Sequence, residues 1–429
     1  MKNCYTLLLL CLSGVYLNAQ TITPFGRVYT ILNTQCQNST CHSATATDVS
    51  ANLRFDGTAS EVHAAVHNVA SANPNSVAKF EKLVKPQHPY SSFLLRKIAG
   101  ASFDTDLAID ANEGALMTDT GGNQLSNKEI EFIRQWIMFG AKQSYTTNDP
   151  KPNWQLVSDY YDDPLSFPFI TKPAKPAAGT GVQLRMGPIF MPKNGSVEQE
   201  WLEQQEVNFP YPVEIDRIAG FMNQQSHHFL LFKFNDTTAA VDEADNRNDN
   251  MQLVSIVGLN TSFDGEKLLT GGWQDDAELV LPQGTAMFWD QKVVLDMNYH
   301  VKNYSTTSIL PADFYFNVYY KPRNPNTIEM KTSLVNNATL FLPGNTVSTR
   351  DYDDGENRGA KNLRYLWNMT SHSHKYGIDY DIYVRDTTGA ITDKIYEGFY
   401  DYANGGIDKG FYDWEHPSTK TWPDLLPVH

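Results

Sequence analysis

Cysteine is scarce in this chain: there are four in 429 residues, and two of them, Cys4 and Cys11, lie within the first twenty. That opening stretch reads as a signal peptide over residues 1–19. Lys2 supplies positive charge, Leu7 to Leu12 holds an apolar run, and Leu17-Asn18-Ala19 offers small residues for cleavage. Cys11 follows Leu10 rather than a small residue, which argues against lipidation. The chain beyond the leader keeps Cys36 and Cys41, so a disulfide scaffold is excluded. Basic residues are also short, with 34 Lys and Arg against 49 Asp and Glu, a net charge of −15 and no basic block; this excludes a nucleic-acid partner. No later apolar run reaches the roughly 18 residues of a membrane span. The expectation is an exported protein, periplasmic or secreted.

Length suffices for several domains, each with its own core. From Thr21 to about Lys142 the pattern is helical: Val62, Ala65, Val66 and Val69 recur at helical spacing, and so do Ile130, Ile133 and Ile137 behind a Ser126–Glu129 capping box. Residues 143–181 are rich in Pro, Lys, Asp and Gly and read as a linker. Beyond Val182, strand-like segments alternate with Gly, Asn and Asp loops, among them Phe229 to Phe234, Ala286 to Met297, Phe314 to Tyr320 and Tyr380 to Val384. Two consecutive antiparallel sandwiches are expected, over 182–322 and 323–429, with a break near Lys321-Pro322-Arg323-Asn324-Pro325.

Cys36-Gln37-Asn38-Ser39-Thr40-Cys41-His42 sets two thiols just before an imidazole. Covalent haem needs two thiols for thioether bonds and a neighbouring histidine for iron; the usual motif has two residues between the thiols, and this one has four. A local disulfide is the other reading. Together with Pro89 to Ile98, Glu113 to Met117, Leu125 to Ile130 and Trp136 to Ala141, the motif resembles the single-haem cytochrome c domains fused to secreted bacterial enzymes. That resemblance covers residues 20–142 and implies a mainly α, cytochrome c-like domain binding haem c through Cys36, Cys41 and His42. It implies Met117 as the distal iron ligand, although Thr118 stands where the family has proline. His63 and His67, four apart on a helix, can share one metal or be ordinary surface histidines; His88 reads as a loop residue.

Five of the eleven histidines fall in three groups in the β region: His227-His228, His300, and His372-Ser373-His374. Residues two apart on a strand share a face, so His372 and His374 can grip one ion; the adjacent His227 and His228 can do so only at a bulge, twist or strand end. All-imidazole ligation suits copper, iron or zinc. The segments Ser226 to Phe232, Tyr299-His300 and His372-Ser373-His374 with Gly377 resemble the copper type II, ascorbate-dependent monooxygenases, the family of peptidylglycine α-hydroxylating and dopamine β-monooxygenases.

That resemblance spans about residues 183–429 and implies two β-sandwich (jelly-roll-like) domains and two copper ions. His227, His228 and His300 would hold the electron-transfer copper, and His372 and His374 the oxygen-activating one. The implied function is hydroxylation of a C–H bond of an unidentified small-molecule or peptide-like substrate with O2, with electrons from ascorbate, the haem domain or a redox partner. Two features depart from the family. No methionine follows His374 to complete the oxygen site, so the second sandwich is expected to be incomplete, with Met369 and His416 as fallback ligands. Thr370 and Ser371 replace an arginine that binds a peptide carboxylate. The rival readings are a zinc hydrolase, which lacks a His-Glu-x-x-His motif here, and a secreted electron-transfer or glycan- and partner-binding protein using aromatics such as Phe399 to Trp414.

Overall fold

The computed structural model describes residues 22–37, 41–44, 53–117, 125–195, 198–223, 226–234, 252–253, 267–273, 278–332, 341–352, 364–371, 377–386, 388–399 and 419–428. The signal-peptide stretch 1–19 lies outside them. The chain divides into two units, Met1–Asn153 and Trp154–His429.

In the first unit, α1 (Pro24–Gln35) starts where Thr23 Oγ1 accepts the Gly26 amide and Pro24 takes the first helical position; its buried face is Phe25, Val28, Ile31 and Leu32. Next come α2 (Ala59–Val66), α3 (Pro74–Ala78) and α4 (Phe93–Phe103). α5 (Asn127–Met138) opens at the Ser126–Glu129 capping box and buries Ile130, Ile133, Trp136 and Ile137. Between these helices the chain forms β-bridges, His67 to Val84 and Ala70 to Lys82, and short 3₁₀ turns at Pro89–Ser91, Thr105–Leu107 and Ala111–Glu113. Buried arginines tie the pieces together. Arg96 reaches both Glu81 and Glu113, and Arg134 reaches both Glu131 and Asp104.

The second unit opens with α6 (Trp154–Asp162), inside the stretch read as linker. Its strands are β1 (Gly181–Met191), β2 (Glu198–Asn208), β3 (Val213–Phe221), β4 (Ser226–Phe234), β5 (Gln252–Leu253), β6 (Lys267–Trp273), β7 (Glu278–Val280), β8 (Thr285–Trp289), β9 (Lys292–Lys302), β10 (Leu310–Pro322), β11 (Ile328–Glu329), β12 (Arg364–Thr370), β13 (Asp379–Arg385), β14 (Ile391–Phe399) and β15 (Thr419–Val428). One sheet runs β1-β10-β3-β8-β11 with β7 on β3, and a second runs β5-β2-β9-β4-β6. They pack through aromatics: Phe229 of β4 stacks on Phe316 of β10 at 4.0 Å, and Tyr299 of β9 meets Phe314 at 4.0 Å. Phe229, Leu231, Leu295, Met297 and Tyr299 are buried on that side, each full burial contributing about 1.5–3 kcal/mol. The Ala286 to Met297 stretch, read as one strand, is two. β8 lies in the first sheet and β9 in the second, so the chain crosses the sandwich at Asp290-Gln291.

The expected fold class is therefore corrected. Strand outweighs helix among the described residues, 37% against 23%, and a mainly α, cytochrome c-like domain is not what the first unit forms. The helical periodicity is real but local. Gly100, at φ 63°, kinks α4 where an added Cβ would lie 2.7 Å from the Leu116 side chain, and proline and 3₁₀ turns cut the remainder into short pieces held by bridges and buried ion pairs. A second sandwich is likewise absent from the described residues. β12–β15 and β13–β14 are separate two-stranded ribbons, with Tyr365 and Ile391 more than half exposed.

Candidate metal centre

β9 lies between β2 and β4, and this pairing assembles the site. In register, Glu200 of β2 and His228 of β4 both stand opposite His300 of β9, and Leu202 stands opposite Asn298. Directly opposed residues share a face. His300, Asn298, Glu200 and His228 thus lie on the side of the sheet away from Tyr299 and Phe229. That side is closed as well, with His228, His300 and Asn298 all buried.

The β4–β9 ladder has a register shift at this end: Ser226 faces Val301 and His228 faces His300, which makes His227 the extra residue of a bulge. A bulge is the device that frees adjacent residues from strict alternation. The His227 side chain lies outside the described residues.

The ring centroids of His228 and His300 are 5.0 Å apart at an interplanar angle of 73°. His300 Nε2 lies 2.6 Å from Glu198 Oε1. His228 Nε2 lies 2.8 Å from Asn298 Oδ1, while Asn298 Nδ2 donates to Glu200 Oε1 at 2.9 Å. These partners set the tautomers. An ionised carboxylate only accepts, so His300 Nε2 carries the proton it donates to Glu198. By the same rule the Asn298 amide turns its Nδ2 to Glu200 and its Oδ1 to His228, whose Nε2 is then also protonated. In the neutral form of each ring the lone pair then falls on Nδ1, and both Nδ1 atoms are buried. Burial, aided by His228, pushes the His300 pKa down to about 4, which keeps it neutral at ordinary pH. Burial also raises Glu198 and Glu200, but contacts with His300 and His228 outweigh it and hold both carboxyls below their usual range.

Neither any family model nor any curated protein matches this chain.

Among the described residues, no three His, Cys, Asp or Glu side chains are grouped to hold a metal. His228 and His300 form a pair of imidazole nitrogen donors, short by one of the set expected with His227. His372 and His374 lie outside the described residues, as does His416; Met369 sits on β12, half-buried.

At the other motif, Cys36 and Cys41 form no disulfide among the described residues. Burial first, then Cys41, pushes the Cys36 thiol up to about 12. His42 is buried beside Phe55, and its Nδ1 lies 2.7 Å from the Leu53 carbonyl. Since a carbonyl only accepts, Nδ1 bears the proton and the lone pair is on Nε2. Met117 is half-buried. His63 and His67, both half-buried, stack on each other at 4.7 Å; His63 also meets Phe25 and Trp136 edge-on, and its Nε2 contacts the Ala141 carbonyl at 2.8 Å just past α5. Burial, then Lys85, pushes His88 down to about 4.

Glu198, Glu200 and the amide of Asn298 were not singled out from the sequence. The signal was present in Glu198-Gln199-Glu200, whose period of two puts both carboxyls on one strand face, but it required knowing that this charged stretch is a strand and that it pairs with β9.

Proposed function

We propose that the second unit holds copper through His228 and His300, with His227 as third ligand, and that the chain is a copper-dependent monooxygenase hydroxylating a C–H bond with O2. The observation that carries this reading is the cross-strand His228–His300 pair, both rings buried and both anchored through Nε2. Copper bound there would supply one-electron transfer, and nitrogen donors without thiolate suit that metal. Protein carboxylates hydrogen-bonded behind metal-bound imidazoles are a common supporting arrangement. A zinc hydrolase is less well supported. Glu198 and Glu200 are engaged on the Nε2 side of the rings, so neither stands beside Nδ1 as a base for metal-bound water.

The proposal includes His372 and His374 as ligands of a second, oxygen-binding copper, and an exported location. It also includes haem c on Cys36 and Cys41 with His42 and Met117 as iron ligands, an electron source beside ascorbate. One observation supports haem: His42 donates through Nδ1, which leaves Nε2 for iron. Attachment through this short motif does not require the cytochrome fold that the first unit lacks.

The test is metal content and oxygen uptake of the full chain. Two coppers per chain and ascorbate-dependent oxygen consumption are expected, with one copper lost in His300→Ala. Tight zinc with no copper would overturn the reading. Absence of c-type bands, in protein made alongside haem-maturation machinery, would remove the haem alone.

A further inference from the structure

Resting on the copper reading above, we infer that Glu198 and the Glu200–Asn298 pair are positioning residues that fix the copper-facing nitrogen of each imidazole and bias the site toward Cu(II). An imidazole in a sheet can present either nitrogen to a metal. Here the choice is removed from behind, by one carboxylate on His300 and by a carboxylate–amide relay on His228. The relay is directional: Glu200 takes the amide Nδ2, so only Oδ1 can face the ring.

The two carboxylates differ in setting. The Glu200 side chain is 11% exposed, with Oε1 3.6 Å from His228 Nε2, whereas the Glu198 side chain is 44% exposed and shared with Lys302 at 3.4 Å. Water and the lysine screen Glu198; Glu200 has neither form of relief to the same degree. A negative charge that raises imidazole basicity favours Cu(II) over Cu(I), and a copper poised toward the oxidised state is the better electron donor once reduced. Glu200 is thus the main determinant of redox poise, and Glu198 mainly of ring orientation.

The experiment compares the full copper-loaded chain with Glu198→Gln, Glu198→Ala, Glu200→Gln and, as a charge control on the same strand, Glu206→Gln, whose carboxylate pairs with Lys292 instead. Cu(II) and Cu(I) affinities are measured by competition, with the reduction potential and the electron spin-echo modulation from the remote imidazole nitrogens. Cu(II) affinity is expected to fall about 10- to 100-fold in Glu198→Ala and Glu200→Gln, and less in Glu198→Gln, whose amide oxygen still accepts from Nε2. Cu(I) affinity should fall less, so the potential rises, most in Glu200→Gln; each tenfold differential corresponds to about 59 mV. The remote-nitrogen modulation should change in all three site variants and stay unchanged in Glu206→Gln. Wild-type copper binding with unaltered affinity, potential and modulation in the site variants would overturn this inference alone. A wild-type chain that takes no copper would overturn it together with the reading beneath it.

Discussion

His228 stands directly across from His300 in the antiparallel pair of β4 and β9, and one residue away that ladder slips by a single position at His227. Two histidines adjacent in sequence and one from 72 residues further along thus share the end of one sheet by register and by a bulge. The bulge makes a direct prediction. Deleting His227 restores regular alternation and leaves His228 and His300 paired. Secondary structure by circular dichroism should be unchanged, while Cu(II) affinity should fall about tenfold or more.

The aromatic layer beneath the pair sets its rigidity. Phe229 is buried against Phe314, Phe316 and Tyr299, and its neighbour in sequence is His228. Phe229→Ala should cost about 3–5 kcal/mol in chemical denaturation of the second unit, through lost burial and the cavity left behind. Copper should bind this variant more weakly than wild type even where it remains folded.

The first unit should lose stability in acid. Burial raises the Glu113 carboxyl, but Arg96, Lys79 and the Asp110 amide outweigh it and hold its pKa at about 2, below the ordinary 4.5. A folded pKa below the unfolded one gives stability that is complete above about 4.5 and is lost as pH falls toward about 2. The amount at stake is on the order of 3 kcal/mol, and Glu113→Gln should remove this part of the pH dependence. Urea unfolding of the first unit between pH 6 and pH 2 checks the sign.

Thiol reactivity tests the packing around Cys36. With its pKa pushed to about 12 from 9.0, Cys36 holds roughly a thousandfold less thiolate at a given pH. Iodoacetamide at pH 8 should leave Cys36 largely unlabelled in the folded chain and label it fast in denaturant, read by peptide mass spectrometry.

Helix starts such as Thr23-Pro24 and Ser126–Glu129 were legible, because a cap is a contact between residues three apart and depends on nothing beyond them. The strand character of Phe229 to Phe234 and Phe314 to Tyr320 was legible from composition, and the histidines stood out by their grouping. Other features were not. Short helical patterns in the first unit suggested a mainly α domain, yet periodicity reports one face of one segment and not what that face meets. The segments beyond Arg364 alternate like strands, yet alternation does not say which strand pairs with which.

The order of residues by itself determined which imidazoles, carboxyls and thiols exist and which short segments turn, coil or extend, since those preferences act over a few bonds. Tertiary structure alone decided that β2, β9 and β4 lie side by side, that the slip falls at His227, and that Glu198 and Asn298 take the Nε2 atoms so that Nδ1 bears each lone pair. Register is a long-range property: moving one strand by one residue would send Glu200, His228 and His300 to opposite faces without altering any local preference.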